Sequence, residues 1–302
     1  MKNGGTRVKK LISIGMVFMI LMYIIPLSTL ITKKEKKIFQ GENISVYDTE
    51  KDEVFNMPLE EYVLKALSKE MPASFESEAL KAQAVAIRTY TLKKKQTKNE
   101  KHKDAVVCTD SNHCMAYLKE EPDKEYREKL EKAVYDTKGQ VLLYEKEYIS
   151  AVFHAISSGM TENSQDIWGG QVPYLVSVES EEDKEVDGYE TKVKVGYHQL
   201  TEKLGAKDFE KVIGDITRTD AGTVKTITLC EKEYTGAKIR ELFGLRSANF
   251  KVEENDGEYI FTVYGYGHGV GMSQYGANNY AKMGYTYEEI LSHYYPGTEL
   301  KK

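Results

Sequence analysis

A glutamate beside an apolar turn is the first residue in this sequence whose surroundings favour acid–base chemistry. Glu70 ends a segment with helical spacing and precedes Met71 and Pro72. A carboxyl group that is partly removed from water has a raised pKa, which is what a general acid needs. Arg88 lies on the next predicted helix, which doubles back, and its guanidinium suits the carboxylate or hydroxyls of a sugar. These surroundings make Glu70 a candidate general acid and Arg88 a candidate partner for a sugar, although residue types alone do not make Glu70 catalytic.

The glycine-rich stretch GYGHGVGMSQYGA, residues 265–277, is a second candidate site and follows a predicted strand. Its glycines alternate with other residues and do not have the G-x-G-x-x-G spacing, so the stretch does not predict a nucleotide site. Alternating glycines let a ligand or another backbone approach closely. We expect the polar and stacking groups of this stretch to bind substrate: His268, Ser273, Gln274 and Tyr275.

The polar loop of residues 154–175 contains Ser157, Ser158 and the only tryptophan of the sequence. A Ser-Ser-Gly after a histidine suggests a nucleophile, but the loop has no clear aspartate partner and lacks the G-x-S-x-G elbow. We therefore interpret the segment as a structural or substrate-lining loop and expect both serines to bind substrate.

Two cysteines and two histidines lie close together in the sequence: His102, Cys108, His113 and Cys114. Such a set can close a tetrahedral zinc site, which is structural because four protein ligands leave no position for water. A disulfide between Cys108 and Cys114, or two free thiols, would also fit. His154 could replace His102 as the fourth ligand. Cys230 lies in an apolar strand and is expected in the core.

The elements that must position these residues alternate between helix and strand, which predicts an α+β fold. Residues 41–58 are expected to form two strands, and helices are expected near 58–71 and 76–95, with Ser74 as a candidate cap. A further helix should end at Gly139, and a hairpin should turn at Glu145 and Lys146. Weak helices in HQLTEKLG and GAKIRELFG, strands in VKTITLC and EYIFTVYGYG, and a helix in YTYEEILSHYYPG follow.

Residues 11–31 are uncharged and mostly apolar, and they are long enough to cross a membrane as a helix. The basic residues before them also fit a cleaved signal peptide, but no clear cleavage site follows. We predict a cytoplasmic tail and transmembrane anchor in residues 1–32 and one large domain in residues 33–302. The net charge of −5 and the lack of a basic stripe argue against nucleic acid as a partner.

Four stretches, in this order, resemble the stage II sporulation protein D family, whose members include lytic transglycosylases: EMPASFESEALKAQAVAIRTY, VVCTDSNHCMAY, AVFHAISSGMTENSQDIWGGQVPYL and GHGVGMSQYGA. The resemblance implies an α+β domain with a central groove, outside the cytoplasm, behind one membrane helix in the mother-cell membrane that faces the forespore. It also implies cleavage of glycan strands stripped of stem peptides, with Glu70 as the acid, Arg88 assisting, zinc at the cysteine–histidine segment, and a peptidoglycan amidase as partner.

The chemistry that the resemblance implies needs only one carboxyl group. Ordinary glycosidases need two, whereas a lytic transglycosylase uses the C6 hydroxyl of its own N-acetylmuramic acid as the nucleophile. Glu70 would protonate the leaving oxygen and then deprotonate that hydroxyl, giving a 1,6-anhydro product. Because close relatives enhance amidases, a non-catalytic glycan-binding enhancer is the alternative. A zinc hydrolase is the third candidate, and four protein ligands on the metal argue against it.

Overall fold

The computed structural model of the chain describes residues 41–97, 100–110, 113–120, 122–207 and 209–302. The predicted anchor at residues 11–31 and the whole of residues 1–32 lie outside these ranges, so the anchor stays a prediction. Within the described ranges, no helix is both long enough and apolar enough to span a membrane.

The described residues form the mixed α+β structure that the sequence predicts. The helices in these ranges are α1 (Leu59–Glu70), α2 (Ser77–Lys95), α3 (Lys124–Asp136), α4 (Ser164–Trp168), α5 (Tyr197–Leu204), α6 (Gly236–Phe243), α7 (Gln274–Lys282) and α8 (Tyr287–Tyr294). The strands are β1 (Asn43–Asp48), β2 (Glu53–Pro58), β3 (Val107–Cys108), β4 (Val141–Tyr144), β5 (Glu147–Tyr148), β6 (Phe153–His154), β7 (Glu190–Gly196), β8 (Ile213–Arg218), β9 (Val224–Leu229), β10 (Lys232–Thr235), β11 (Phe250–Asn255), β12 (Glu258–Tyr264), β13 (Met272–Ser273) and β14 (Glu299–Lys301). The strands pair into small sheets of two or three strands.

Helix α2 lies at the centre of the first hydrophobic core. Helices α1, α3, α7 and α8 all pack against it. The predicted stripe of small residues is buried, since Ala79, Ala82 and Ala86 have no exposed surface. Their short side chains let the neighbouring helices approach closely. Burial also extends to Val85 and Ile87, because helices surround α2 on several sides.

The start of α2 differs from the sequence prediction. The helix begins at Ser77 with Glu76 as its N-cap residue, and the Glu76 side chain makes no capping hydrogen bond. The backbone N–H of Glu76 donates instead to Oδ1 of Asn278 on α7, at 2.8 Å. Ser74 is therefore not the cap, because a contact with a helix distant in sequence replaces the local one.

The two strands predicted in residues 41–58 and the hairpin predicted at Glu145 and Lys146 are confirmed. Strands β1 and β2 pair antiparallel, and β3 adds to β1 in parallel, so that Cys108 lies beside Tyr47. Strands β4 and β5 turn at Glu145 and Lys146, whose φ angles are 50° and 69°. Two successive residues with positive φ are typical of a two-residue hairpin turn of type I′.

Residues 190–264 enclose a second hydrophobic core. Strands β11, β12 and β7 form one sheet and β10, β9 and β8 form another, and helices α5 and α6 pack against them. Its buried side chains include Val195, Ile227, Phe250 and Phe261. Cys230 is buried in this core, as predicted. The domain predicted for residues 33–302 thus contains two hydrophobic cores.

The glycine-rich stretch runs beside residues 152–162, and β13 pairs in parallel with β6. A Cβ atom on Gly271 would lie 2.1 Å from the carbonyl oxygen of Val152. A Cβ atom on Gly267 would lie 2.6 Å from the Cβ atom of His154. Both glycines have positive φ, 74° and 119°. The sequence predicted that a ligand or another backbone would approach these glycines closely. At Gly267 and Gly271 the approaching group is the segment that contains Val152 and His154.

We expect Gly271→Ala to destabilise the protein by about 2–4 kcal/mol, because the methyl group clashes with a backbone oxygen at a left-handed position. Denaturant unfolding of the full chain measures the change. Gly170→Ala is the matched control, since a Cβ atom there meets nothing within 4 Å. Equal stability of the two variants would contradict the close approach.

Candidate functional site

Glu70 is the last residue of α1, and its side chain is half-buried where the chain turns into Met71 and Pro72. The backbone N–H of Ala116 donates a hydrogen bond to its Oε1 atom. Burial raises the pKa of Glu70, and the hydrogen bond from Ala116 opposes this shift only in part. The carboxyl group is thus partly desolvated, and its pKa is shifted in the direction that a general acid needs.

A buried tyrosine lies near both Glu70 and the cysteine–histidine segment. Tyr62 has no exposed surface, and its hydroxyl has no hydrogen-bond partner among the described residues. Burial raises the pKa of Tyr62 well above its usual value, and the nearby Cys114 and Glu70 add to the shift. The Tyr62 ring also stacks on Tyr117, with ring centroids 5.8 Å apart. Glu70 and the cysteine–histidine segment are therefore neighbours in the fold.

The four predicted metal ligands meet in space, with their ligand atoms all within 4.8 Å of one another. Nε2 of His102 lies 3.6 Å from Sγ of Cys114. Nδ1 of His113 lies 3.7 Å from Sγ of Cys108 and 2.6 Å from Nε2 of His102. Tetrahedral bonds of zinc to nitrogen and sulfur separate these atom types by about 3.5 Å, so the nitrogen–sulfur distances fit.

The cluster could hold a metal ion, and His102 is its fourth member. Cys108 and Cys114 are free thiols in the structure and are not joined by a disulfide. Burial raises the pKa of the Cys114 thiol, so a thiolate forms there most readily beside a cation. His154 lies elsewhere, with Nδ1 3.2 Å from the carbonyl oxygen of Val270.

A short piece of chain connects the cluster with Glu70. Ala116, which donates to Glu70, follows Cys114 by two residues. On the other side of the cluster, β3 holds Cys108 against β1. A metal in the cluster would therefore fix the position of the hydrogen-bond donor to Glu70.

Arg88 does not have the surroundings predicted for a substrate-binding residue. Its side chain is fully buried, and its Nε and Nη2 atoms donate to the two carboxylate oxygens of Glu60, at 2.9 and 2.7 Å. Nη1 donates to the carbonyl oxygen of Gln140 at 3.1 Å. The guanidinium that was expected to bind a sugar is already bound within the protein, because Glu60 lies on the adjacent helix α1.

Three of the predicted substrate-binding residues line one cavity of about 600 Å³ between the two cores: Ser157, Ser158 and His268. The backbone N–H of Ser157 donates to Oδ2 of Asp183 at 2.8 Å. Oγ of Ser158 donates to the carbonyl oxygen of Ala221 at 3.1 Å. Burial lowers the pKa of His268 to about 4, so this side chain is neutral at pH 7.

Like Arg88, three further residues that were predicted to bind substrate do not line this cavity. Ser273 is fully buried and caps α7, since its Oγ atom accepts the backbone N–H of Gly276 at 3.1 Å. Gln274, the first residue of α7, is also buried. The Tyr275 ring packs edge-on against Phe75, with ring centroids 4.8 Å apart. Ser273 thus has a structural role that its sequence position did not reveal.

The structure also brings in polar residues that sequence reasoning missed. Asp183 is fully buried and holds the Ser157 loop. Glu162 and Arg240 line the cavity. Asp183 and Arg240 lie in charged segments without a motif, so their local sequence carries no signal of these positions.

We expect Arg88→Met to lower the free energy of unfolding by about 3–5 kcal/mol, because Glu60 would remain as a buried charge without its partner. Denaturant unfolding checks this value. The double variant Glu60→Leu with Arg88→Met should recover at least half of the loss, since it removes both charges. A single variant as stable as the unchanged protein would show that the pair has no structural role.

We expect removal of a bound metal to lower the melting temperature of the full chain by at least about 5 °C, because metal binding adds to the free energy of folding. Calorimetry before and after verified chelation measures the shift. Cys108→Ser should abolish the response to chelator, whereas Cys230→Ala, outside the cluster, should keep it. An unchanged melting curve after metal removal would contradict a structural metal.

Comparisons with known proteins agree with this arrangement of motifs. Residues 47–144 match the family model described as Stage II sporulation protein. The chain is 39% identical to stage II sporulation protein D of Bacillus subtilis (strain 168) over 272 residues, which covers 86% of this chain and 79% of that protein. The protein of the same name from Bacillus amyloliquefaciens is 38% identical over 271 residues, with the same coverage of 86% and 79%. An amidase enhancer of Bacillus subtilis (strain 168) is 28% identical over 291 residues, covering 78% of this chain and 39% of that protein. The chain belongs to the stage II sporulation protein D family.

Proposed function

We propose that this protein is a lytic transglycosylase that cleaves peptidoglycan glycan strands stripped of stem peptides, at the bond between N-acetylmuramic acid and N-acetylglucosamine. The observation that carries the proposal is the half-buried Glu70 carboxyl, whose pKa is raised by burial. Membership in a sporulation family supports action during engulfment.

Glu70 acts as both acid and base in the proposed reaction. Its protonated form donates a proton to the glycosidic oxygen while the bond from C1 of N-acetylmuramic acid to that oxygen breaks. The C6 hydroxyl of the same sugar then bonds to C1 and returns its proton to the Glu70 carboxylate. The products are a 1,6-anhydro end and a free 4-hydroxyl on N-acetylglucosamine, and no water is consumed. The N–H of Ala116 orients the carboxyl for both proton transfers.

The metal in the proposed enzyme is zinc, and its role is structural. Two thiolates and two imidazoles match the ligands that zinc prefers, and four protein ligands leave no position for water. In this role the zinc holds the segment that carries Ala116 through four ligands: His102, Cys108, His113 and Cys114. Glu70 remains the group that moves the proton.

The substrate implies the place of action and the partners. Peptidoglycan lies outside the cytoplasmic membrane, so residues 33–302 are proposed to face that side behind an anchor within residues 1–32. The location is the mother-cell membrane facing the forespore. The expected partner is a peptidoglycan amidase, because it produces the stripped strands.

A second candidate function is a glycan-binding enhancer of a cell-wall amidase that does not itself cleave glycan. The relative named amidase enhancer supports it. A pure binder, however, has no need of a carboxyl with a raised pKa, so Glu70 favours the enzyme.

We expect the purified full chain to release 1,6-anhydro-ended fragments from stripped glycan, and mass spectrometry detects them. Glu70→Gln should slow this release about 10²- to 10⁴-fold, because the amide cannot transfer the proton. Glu61→Gln, on the same helix, is the matched control and should cleave normally. Fragments with reducing ends would mean hydrolysis, and glycan binding without cleavage by the folded protein would favour the enhancer.

A further inference from the structure

The cavity between the two cores combines residues from both parts of the chain. One side is formed by the loop with Ser158 and Glu162 and by His268 of the glycine-rich stretch, and the other by Arg240 and Asn249 of the second core region. Its volume of about 600 Å³ lies within the range of small-molecule sites and accommodates a sugar residue with its substituents.

Arg240 lines this cavity and forms no ion pair with an acidic side chain in the part of the chain that the structure describes. Its Nε atom donates to the carbonyl oxygen of Leu245 at 3.4 Å, and none of its contacts in the described ranges is an ion pair. Burial lowers the pKa of Arg240, which means that its guanidinium is partly stripped of water. A guanidinium in such a place favours a planar anion that can accept two hydrogen bonds.

The acidic side chains that face the cavity are already engaged. Glu162 accepts hydrogen bonds from Oγ1 of Thr219 at 2.9 Å and from N–H of Thr223 at 3.3 Å. Asp166 forms an ion pair with Lys225 at 2.7 Å. Because the whole chain carries a net charge of −5, an anionic ligand depends on a local cation, and Arg240 supplies it.

Two half-exposed aromatic rings lie close to residues that line the cavity. Trp168 is 50% exposed, and its ring lies 5.2 Å from the ring of His268, which lines the cavity. Tyr266 is 45% exposed, and the guanidinium of Arg246 stacks on its ring at 4.3 Å. Half-exposed rings with an apolar face and a polar edge suit the alternating apolar and hydroxylated surfaces of a sugar.

We propose that the cavity binds an N-acetylmuramic acid residue whose lactyl carboxylate is free, with Arg240 as the partner of the carboxylate and Trp168 as the stacking surface. This inference rests on the proposed action on glycan. A stem peptide is attached to the lactyl group through an amide, which removes the negative charge and adds bulk. The site would therefore distinguish stripped strands from strands that still carry peptide.

Trp168 is the only tryptophan of the chain and lies against His268 of the cavity wall, so tryptophan fluorescence reports changes at this place in the fold. The full chain is titrated with the disaccharide of N-acetylglucosamine and N-acetylmuramic acid, and then with the same disaccharide carrying a lactyl primary amide. Calorimetric titration runs in parallel. We expect the acid to bind about 10- to 100-fold more tightly than the amide, because a charge-assisted pair is lost in the amide.

Arg240→Gln should weaken binding of the acid to the level of the amide and leave the amide unchanged. Lys238→Gln is the matched control, since it removes the same charge from an exposed position on the same helix. It should bind both ligands like the unchanged protein. Melting curves show that each variant is folded. Equal affinity for acid and amide, no binding of either, or normal acid binding by Arg240→Gln would overturn the proposal.

The same titration on Glu70→Gln separates this inference from the proposed function. Acid-selective binding without any glycan cleavage by the unchanged protein would contradict the proposed enzymatic activity and support the binding site. Normal cleavage, together with unchanged binding of the acid by Arg240→Gln, would contradict the binding site and support the enzymatic activity.

Discussion

The enclosure of α2 by four other helices is the constraint on which the rest of the structure depends. Its alanines bring those helices close, and the enclosure leaves Arg88 without access to water. A buried guanidinium needs a matched carboxylate, and Glu60 at the start of α1 supplies it in a two-point contact. The pair fixes α1 against α2. The position of Glu70 at the other end of α1 follows from this packing.

Two parts of the chain meet at Glu70 and have opposite effects on its carboxyl. The end of α1 and the apolar turn remove it from water, which raises its pKa, while the N–H of Ala116 stabilises the charged form. Such a balance suits the proposed role of Glu70, in which the carboxyl group gives and then takes a proton. The cysteine–histidine cluster lies next to the donor, so a metal bound there would position the N–H of Ala116 and, through it, the carboxyl group of Glu70.

The second core supplies one wall of the cavity. It brings Arg240 to a cavity whose other wall comes from the serine loop and the glycine-rich stretch. The glycines let residues 265–271 pass close to residues 154–162, and this close passage shapes the cavity wall. Asp183 in turn holds the serine loop by accepting a hydrogen bond from the backbone N–H of Ser157. The cavity therefore depends on contacts between segments that are distant in sequence.

The sequence by itself determined the local features of this protein. Turn-forming residues, helical periodicity and strand alternation predicted most helices and strands, and the spacing of the cysteines and histidines predicted their cluster. Only the tertiary structure decided which polar side chains are free to act. Arg88 and Ser273 have the residue types of binding groups, but one is enclosed against Glu60 and the other caps α7. Arg240 has no motif and reaches the cavity through the second core. The physical reason is that hydrogen bonds and ion pairs are completed by partners far away in sequence, which local patterns do not encode.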